Sequence, residues 1–184
     1  TDINADLVVP VPDSGVPAAL GYAETSNKKF ELGLIRNHYV GRTFIEPTQN
    51  IRSLGVKLKL SSTKTIVQNK SIILIDDSLV RGTTCHKIVK MLYESGAKEV
   101  HVRIACPEIK YPDFYGVDMP NKKELLANEK NNQEICEYIN AKTLNFLSLD
   151  GLYKALVGEK RNSNFPQFSD HYFTGDYPII PHDN

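Results

Sequence analysis

Two adjacent carboxylates, Asp76 and Asp77, follow directly on a run of four aliphatic residues, Ile72 to Ile75. A small polar turn, Arg81-Gly82-Thr83-Thr84, comes next, and a helical pattern starts at Cys85 with Ile88, Val89, Met91 and Leu92 at helical spacing. The aliphatic run does not alternate with polar residues, so it reads as a strand buried on both faces, as in a parallel sheet. The stretch is therefore strand, acidic pair, Gly/Thr turn and helix start. A helix start leaves backbone N–H groups unpaired and carries the positive end of the dipole, which suits a phosphate. Gly82 lets backbone approach closely, and the Thr83 and Thr84 hydroxyls add donors. Open α/β sheets bind ligands at the carboxyl ends of their strands, where the acidic pair lies. Two carboxylates there suit ribose hydroxyls or a hydrated magnesium ion. The plainer alternative is an ordinary βα turn with Thr83 as N-cap.

Several elements must position these groups. Ala5 to Val11 reads as a first strand centred on Leu7, Val8 and Val9. Pro12-Asp13-Ser14-Gly15 is a turn, Val16 to Ala23 a helix, and Phe30 to Ile35 a second strand. A β-loop-α-β order predicts a parallel sheet, here of about five strands. The turns 13–15 and 76–84 are then expected at the same edge. Arg36 to Leu60 carries Arg36, Arg42, Arg52, Lys57 and Lys59 with three glycine or proline breaks and little periodicity. It is a surface loop or β-ribbon by length, or a lid by position. Further on, Val100 to Ala105 and Thr143 to Leu149 read as strands. Lys122 to Ala127, Asn132 to Asn140 and Leu152 to Val157 read as helices, the last with Asp150 as a plausible cap. After Gly158 the composition shifts to Asn, Ser, Phe, Pro and Tyr. Residues 1–158 are read as one domain and 159–184 as a tail packing on it or on a neighbour.

The 184 residues suffice for one domain with a sizeable core. The formal net charge is zero, which argues against a general nucleic-acid or membrane surface. No apolar stretch approaches membrane-spanning length. Three widely spaced cysteines, Cys85, Cys106 and Cys136, match neither a zinc pattern nor a disulfide framework, so a reduced cytoplasmic setting is the simplest expectation. The sequence starts at Thr1 rather than at methionine, and an upstream segment is expected.

The Asp76-Asp77 to Thr84 string resembles the phosphoribosyl pyrophosphate (PRPP) signature of type I phosphoribosyltransferases. Val11-Pro12-Asp13-Ser14-Gly15, the string from Asn37 to Ile45, and Phe114-Tyr115-Gly116-Val117-Asp118 resemble the amidophosphoribosyltransferase family, in the family's order and over nearly all of the chain. The resemblance implies a type I phosphoribosyltransferase fold, a doubly wound parallel α/β sheet with a flexible loop and an irregular tail. It implies displacement of pyrophosphate from PRPP by ammonia, giving phosphoribosylamine, the step that opens purine synthesis. Asp76 and Asp77 would hold the ribose hydroxyls and magnesium. Ser78 would bind PRPP, and Arg81, Gly82, Thr83 and Thr84 would hold its 5-phosphate, mainly through backbone amides. Ser14 and Gly15 would hold pyrophosphate, with Ser14 also helping the metal. The loop around residues 36–60 would close over PRPP. Tyr39 would shield the site, and Arg42, with Lys57 or Lys59, would reach the pyrophosphate. Purine nucleotides are the implied feedback inhibitors, and a homo-oligomer is implied.

Two departures from the family stand out. The family's amino-terminal glutaminase domain has no counterpart in this sequence, so its ammonia is expected from another segment or another chain. Many members carry an iron–sulfur cluster, whose cysteines would fall just before Phe114 and in a pair before Phe173-Thr174-Gly175. Asp113, Ser169 and Tyr172 stand there instead, and no cluster is expected. Two alternatives stay open: a nucleobase phosphoribosyltransferase on the same scaffold, and a non-catalytic PRPP-sensing regulator. A regulator would be expected to lose an acidic residue or the lid, or to gain a basic DNA-binding module, and neither is seen.

Overall fold

The computed structural model describes residues 3–37, 60–116 and 121–179. The expectations for Tyr39, Arg42, Lys57, Lys59 and the closing loop fall outside the described residues. In chain order the elements are β1 (Leu7–Pro10), α1 (Val16–Ser26), β2 (Lys29–Phe30), β3 (Leu34–Arg36), β4 (Leu60–Ser62) and α2 (Lys64–Val67). Then come β5 (Ser71–Asp76), α3 (Thr83–Glu94) and β6 (Glu99–Ile104), followed by a 3-10 turn at Lys122–Glu124. The chain continues through α4 (Leu126–Glu129), α5 (Asn132–Tyr138), β7 (Thr143–Phe146), α6 (Leu149–Val157) and α7 (His171–Thr174).

Five parallel strands form one sheet in the order β2-β1-β5-β6-β7. The lack of alternation in β5 has a direct cause. Ile72 and Leu74 join Ile88, Val89 and Leu92 of α3 on one face, while Ile73 and Ile75 join Ala19 and Ala23 of α1 on the other. All four are essentially solvent-free. Burying each contributes roughly 1.5–3 kcal/mol before entropy, so β5 anchors the turn that follows it. The chain leaves β1 toward β2 and leaves β5 toward β6 and β7. The sheet order therefore reverses between β1 and β5, and such a reversal opens a crevice beyond the carboxyl ends of the two strands.

Several boundaries differ from the sequence reading. The second strand is two pieces: β2 pairs with β1, whereas β3 pairs antiparallel with β4 as a separate ribbon. Gly33 marks the break. A Cβ there would meet Val67 and Val9 side chains at 3.0 and 3.1 Å, tighter than ordinary contact, so glycine lets backbone pass close to the core without pushing them aside. The helix expected over Lys122 to Ala127 splits, because Leu125 takes an extended conformation and buries its side chain completely. β7 is shorter than expected and α6 starts at Leu149. Ser148, not Asp150, caps α6 by accepting the Gly151 N–H at 3.0 Å. Asp150 sits in the first turn, where a carboxylate also suits the dipole.

The tail beyond α6 is tied down at Asp170. Its carboxylate accepts from Arg161 Nε at 2.6 Å and from the Tyr153 hydroxyl at 2.7 Å. The Lys110 and Tyr111 amides donate to the Tyr172 carbonyl at 2.9 and 3.1 Å. Among the described residues no helix is long and apolar enough to cross a membrane.

Candidate active site

The crevice between β1 and β5 gathers the chemistry-bearing residues. β5 ends at Asp76, and the Asp77 amide donates to Asp76 Oδ1 at 3.0 Å. Asp76 is 8% exposed while Asp77 faces solvent. Burial, reinforced by the hydrogen bond and negative charge of Asp77, pushes the Asp76 carboxyl up to about 8. The two neighbours thus differ in environment: Asp76 is a buried acid that keeps its proton near neutrality, and Asp77 is exposed to water.

The turn after β1 reaches across. Ser14 donates its hydroxyl to Asp77 Oδ1 at 3.1 Å. Gly15 makes that approach feasible, because a Cβ there would meet the Ile75 carbonyl oxygen at 2.5 Å and the Val11 carbonyl oxygen at 2.8 Å. Those atoms are backbone and cannot swing aside. Asp13 pairs with Arg36 from the base of the β3–β4 ribbon.

On the far side, Gly82 takes a left-handed conformation (φ 72°) and starts α3 without a side-chain cap. The first-turn N–H groups of α3 are left open to the crevice, with the positive end of the dipole behind them. A Cβ at Gly82 would also meet a Leu126 δ-methyl at 2.5 Å and the Tyr138 ring at 3.0 Å, so both side chains would have to shift, and the left-handed backbone strains any other residue. The Thr83 N-cap considered from sequence is replaced by this glycine. Arg81 pairs with Glu124 at 2.8 Å.

Together these groups line a cavity of about 580 Å³. Ser14, Asp76, Asp77, Ser78, Arg81, Gly82, Thr83 and Thr84 all line it, and Gly15 packs behind Ser14. Sequence reasoning missed two lining cations as site residues, Arg36 and Lys87. The signal for Lys87 was there, since it lies four residues past Thr83 and hence on the same helical face. Glu124 carried no local signal, being 43 residues from Arg81. No activated thiol lies nearby. Burial pushes Cys106 up to about 12, with the charge of Asp77 adding to it, and burial raises Cys85 further still.

The three positions where cluster cysteines fall in the family lie around one histidine. His171 Nε2 bonds Asp113 Oδ1 at 2.8 Å, and His171 Nδ1 bonds Ser169 at 3.0 Å. Tyr172 shares Asp113 through a side-chain hydrogen bond. The imidazole and the Asp113 carboxylate are almost wholly buried.

No family model matches the sequence. An amidophosphoribosyltransferase from Rhizobium etli is 60% identical over 177 residues, covering 96% of this chain and 36% of the relative. The chloroplastic amidophosphoribosyltransferase 1 of Arabidopsis thaliana is 52% identical over 179 residues, covering 97% of this chain and 31% of the relative. The B. subtilis glutamine PRPP amidotransferase, solved in complex with ADP and GMP, superposes with a TM-score of 0.85 at 48% identity. That match covers 98% of this chain and 40% of the B. subtilis chain. The chain is homologous to the carboxyl-terminal portion of the amidophosphoribosyltransferases. It spans about a third of the length of the curated relatives it matches. The five-stranded parallel sheet is accordingly a type I phosphoribosyltransferase fold, as the sequence resemblance implied.

Proposed function

We propose that this chain transfers the phosphoribosyl group of PRPP to ammonia, giving 5-phosphoribosylamine and pyrophosphate at the first step of de novo purine synthesis. The observation that carries the reading is the Ser14–Asp77 contact across the β1/β5 crevice, beside the uncapped start of α3. It brings an anion-binding turn, an acidic pair and a second anion-binding turn to one cavity, the order in which pyrophosphate, ribose and 5-phosphate follow one another in PRPP. The ammonia nitrogen forms its bond to the anomeric carbon as the bond from that carbon to the pyrophosphate oxygen breaks. The pair of electrons leaves with pyrophosphate, and the amine then sheds a proton. A transition state of oxocarbenium character needs positioning and charge stabilisation more than a nucleophilic side chain. The high thiol pKa values and the open amides of α3 agree with that need.

Residue roles follow from the environments. Asp76, buried and protonated near neutrality, suits a ribose hydroxyl. Asp77, in water, suits the ribose and a cation. Ser14 and Gly15 hold pyrophosphate, and the amides of residues 78–84 hold the 5-phosphate. Magnesium fits this donor set, because it favours one or two carboxylates completed by substrate oxygens and water. Among the described residues no group of three or more His, Cys, Asp or Glu could hold a metal without such help. Asp77 and Ser14, with Asp76 once its proton is displaced, would hold the ion, which when bound would neutralise pyrophosphate charge. Tyr39 is read as a loop residue that shields the site, with Arg42 and Lys57 or Lys59 reaching pyrophosphate.

Residues 1–158 are read as the phosphoribosyltransferase unit and 159–184 as its tail. Ammonia would come from a glutaminase domain in cis or in trans, in keeping with the greater length of the relatives. Purine nucleotides are read as feedback ligands; the B. subtilis neighbour was solved with ADP and GMP. A homo-oligomer without an iron–sulfur cluster completes the reading. A cytoplasmic setting agrees with three cysteines free of disulfides. The relatives' names favour ammonia over a nucleobase as acceptor. Pyrophosphate release from PRPP and magnesium tests this, with ammonium, glutamine and nucleobases supplied in turn. Release with nucleobases but not with ammonium would overturn it.

A further inference from the structure

The three cations that line the described part of the cavity are Arg36, Arg81 and Lys87. Two of them already have partners. Arg36 is paired with Asp13, and Arg81 with Glu124 at 2.8 Å. A phosphate arriving at either guanidinium must compete with a carboxylate already in place. Lys87 differs. Its side chain is half-buried on α3, and among the described residues its ammonium forms no hydrogen bond and no ion pair, not even with Asp76 or Asp77.

The position of Lys87 follows from helix geometry. It stands three residues past Thr84 and four past Thr83, so all three share one face of α3. That face borders the cavity at the end of α3 where the amides are open. The other lysine of α3, Lys90, lies a turn farther from the open amides: it is outside the cavity lining, 64% exposed, and pairs with Glu94 at i,i+4. A lysine on a solvated face commonly finds such a partner or trails in water. Lys87 instead brings a mobile point charge to a cavity whose two arginines are occupied. Lysine carries three rotatable donors on a flexible stem, so it can follow a ligand phosphate that backbone amides alone would leave with excess charge.

We propose that Lys87, rather than Arg81, supplies the side-chain cation that receives the 5-phosphate of PRPP. The inference rests on the proposed PRPP site and adds a phosphate-binding residue to it. Arg81 then serves chiefly as a strut: its pair with Glu124 fastens the turn to the segment before α4, and its backbone lies along the cavity. A charged hydrogen bond at a half-buried position is worth the lower end of the usual range, which corresponds to about tenfold in affinity.

The test uses the 184-residue chain and titration calorimetry with three probes in magnesium: PRPP, ribose 5-phosphate and pyrophosphate. Lys87→Gln should weaken PRPP and ribose 5-phosphate about tenfold and leave pyrophosphate unchanged. The salt dependence of ribose 5-phosphate binding should become shallower in the same variant. Lys87→Arg should restore most of the affinity. Lys90→Gln removes the same charge from the same helix away from the cavity, so it should bind all three probes like the parent. Equal losses for ribose 5-phosphate and pyrophosphate, or none for ribose 5-phosphate, would overturn the assignment while leaving the PRPP site intact. A parent chain that bound neither PRPP nor ribose 5-phosphate would overturn the proposed function, and this inference with it.

Discussion

Gly15→Ala perturbs the crevice at its tightest point. The added Cβ would start 2.5 Å from the Ile75 carbonyl oxygen and 2.8 Å from that of Val11, whereas ordinary contact begins at 3.4 Å. The turn must therefore retreat from β5 by about 0.9 Å, the difference between 3.4 and 2.5. Gly15 has φ −74°, so the alanine suffers no backbone strain and the effect is purely one of space. Overfilling a tight site costs about 1–3 kcal/mol, visible as an earlier urea midpoint. The same retreat carries Ser14 away from Asp77. Their 3.1 Å hydrogen bond would open beyond bonding range, and the pyrophosphate and metal donors would lose their alignment. A misplacement of about 1 Å can cost 10²-fold in rate, so kcat/KM for PRPP in pyrophosphate release should fall roughly a hundredfold. Gly21→Ala is the control: it lies inside α1 with nothing within 4 Å, and should stabilise by about 0.5–1 kcal/mol without touching kcat/KM. A Gly15→Ala chain with parental midpoint and parental kcat/KM would refute the reasoning that the two turns meet across a crevice with no space to give.

Other expectations concern the acidic pair, the tail and the histidine cluster. Asp76 titrates at about 8 in the folded chain and near 3.8 when unfolded, so the folded state holds an extra proton between those values. Stability of the ligand-free chain should therefore fall as pH rises toward 8, read as a decreasing Tm, and an Asp76→Asn chain should show a flatter profile. Burial alone would raise the Asp170 carboxyl, but hydrogen bonds from Arg161, Tyr153 and Thr174 outweigh it and hold it below its ordinary value. Asp170→Ala leaves Arg161 with Asp176 as its remaining carboxylate partner but strands the buried Tyr153 hydroxyl, and should cost roughly 1–3 kcal/mol in urea denaturation; an unchanged midpoint would mean that the tail does not depend on this cluster. Anaerobically purified protein should be colourless and free of iron, since Asp113, Ser169 and Tyr172 offer no thiolate; stoichiometric iron with acid-labile sulfide would contradict this.

How much of this was legible depended on whether the cause was local. Ile72 to Thr84 could be read because its strand, acidic pair, glycine and helix start are contiguous, and an aliphatic run without alternation has few uses other than a doubly covered strand. Ser14 and Asp77 could be paired because parallel βα units bring successive turns to one edge. The split at Gly33 was harder, since the close approach that favours glycine is to Val9 and Val67, both distant in sequence. Ser148 and Asp150 compete as caps for the same helix, and only the backbone course decided for Ser148. The ion pairs that occupy Arg36 and Arg81 span 23 and 43 residues, and no periodicity announces them. The Ser169–His171–Asp113 cluster likewise joins the tail to a loop 58 residues earlier.

The most direct test of the central claim is pyrophosphate release by the 184-residue chain with PRPP and magnesium, comparing ammonium with glutamine. The parent should turn over with ammonium, faster as pH rises and more of the amine is unprotonated, and should not turn over with glutamine. Asp77→Asn keeps the shape of the ribose and metal site but removes its exposed charge. A charged hydrogen bond is worth on the order of 1.5–3 kcal/mol, so kcat/KM for PRPP should drop roughly ten- to a hundredfold or more. An Asp77→Asn chain as active as the parent, or a parent that released no pyrophosphate with ammonium, would contradict the account.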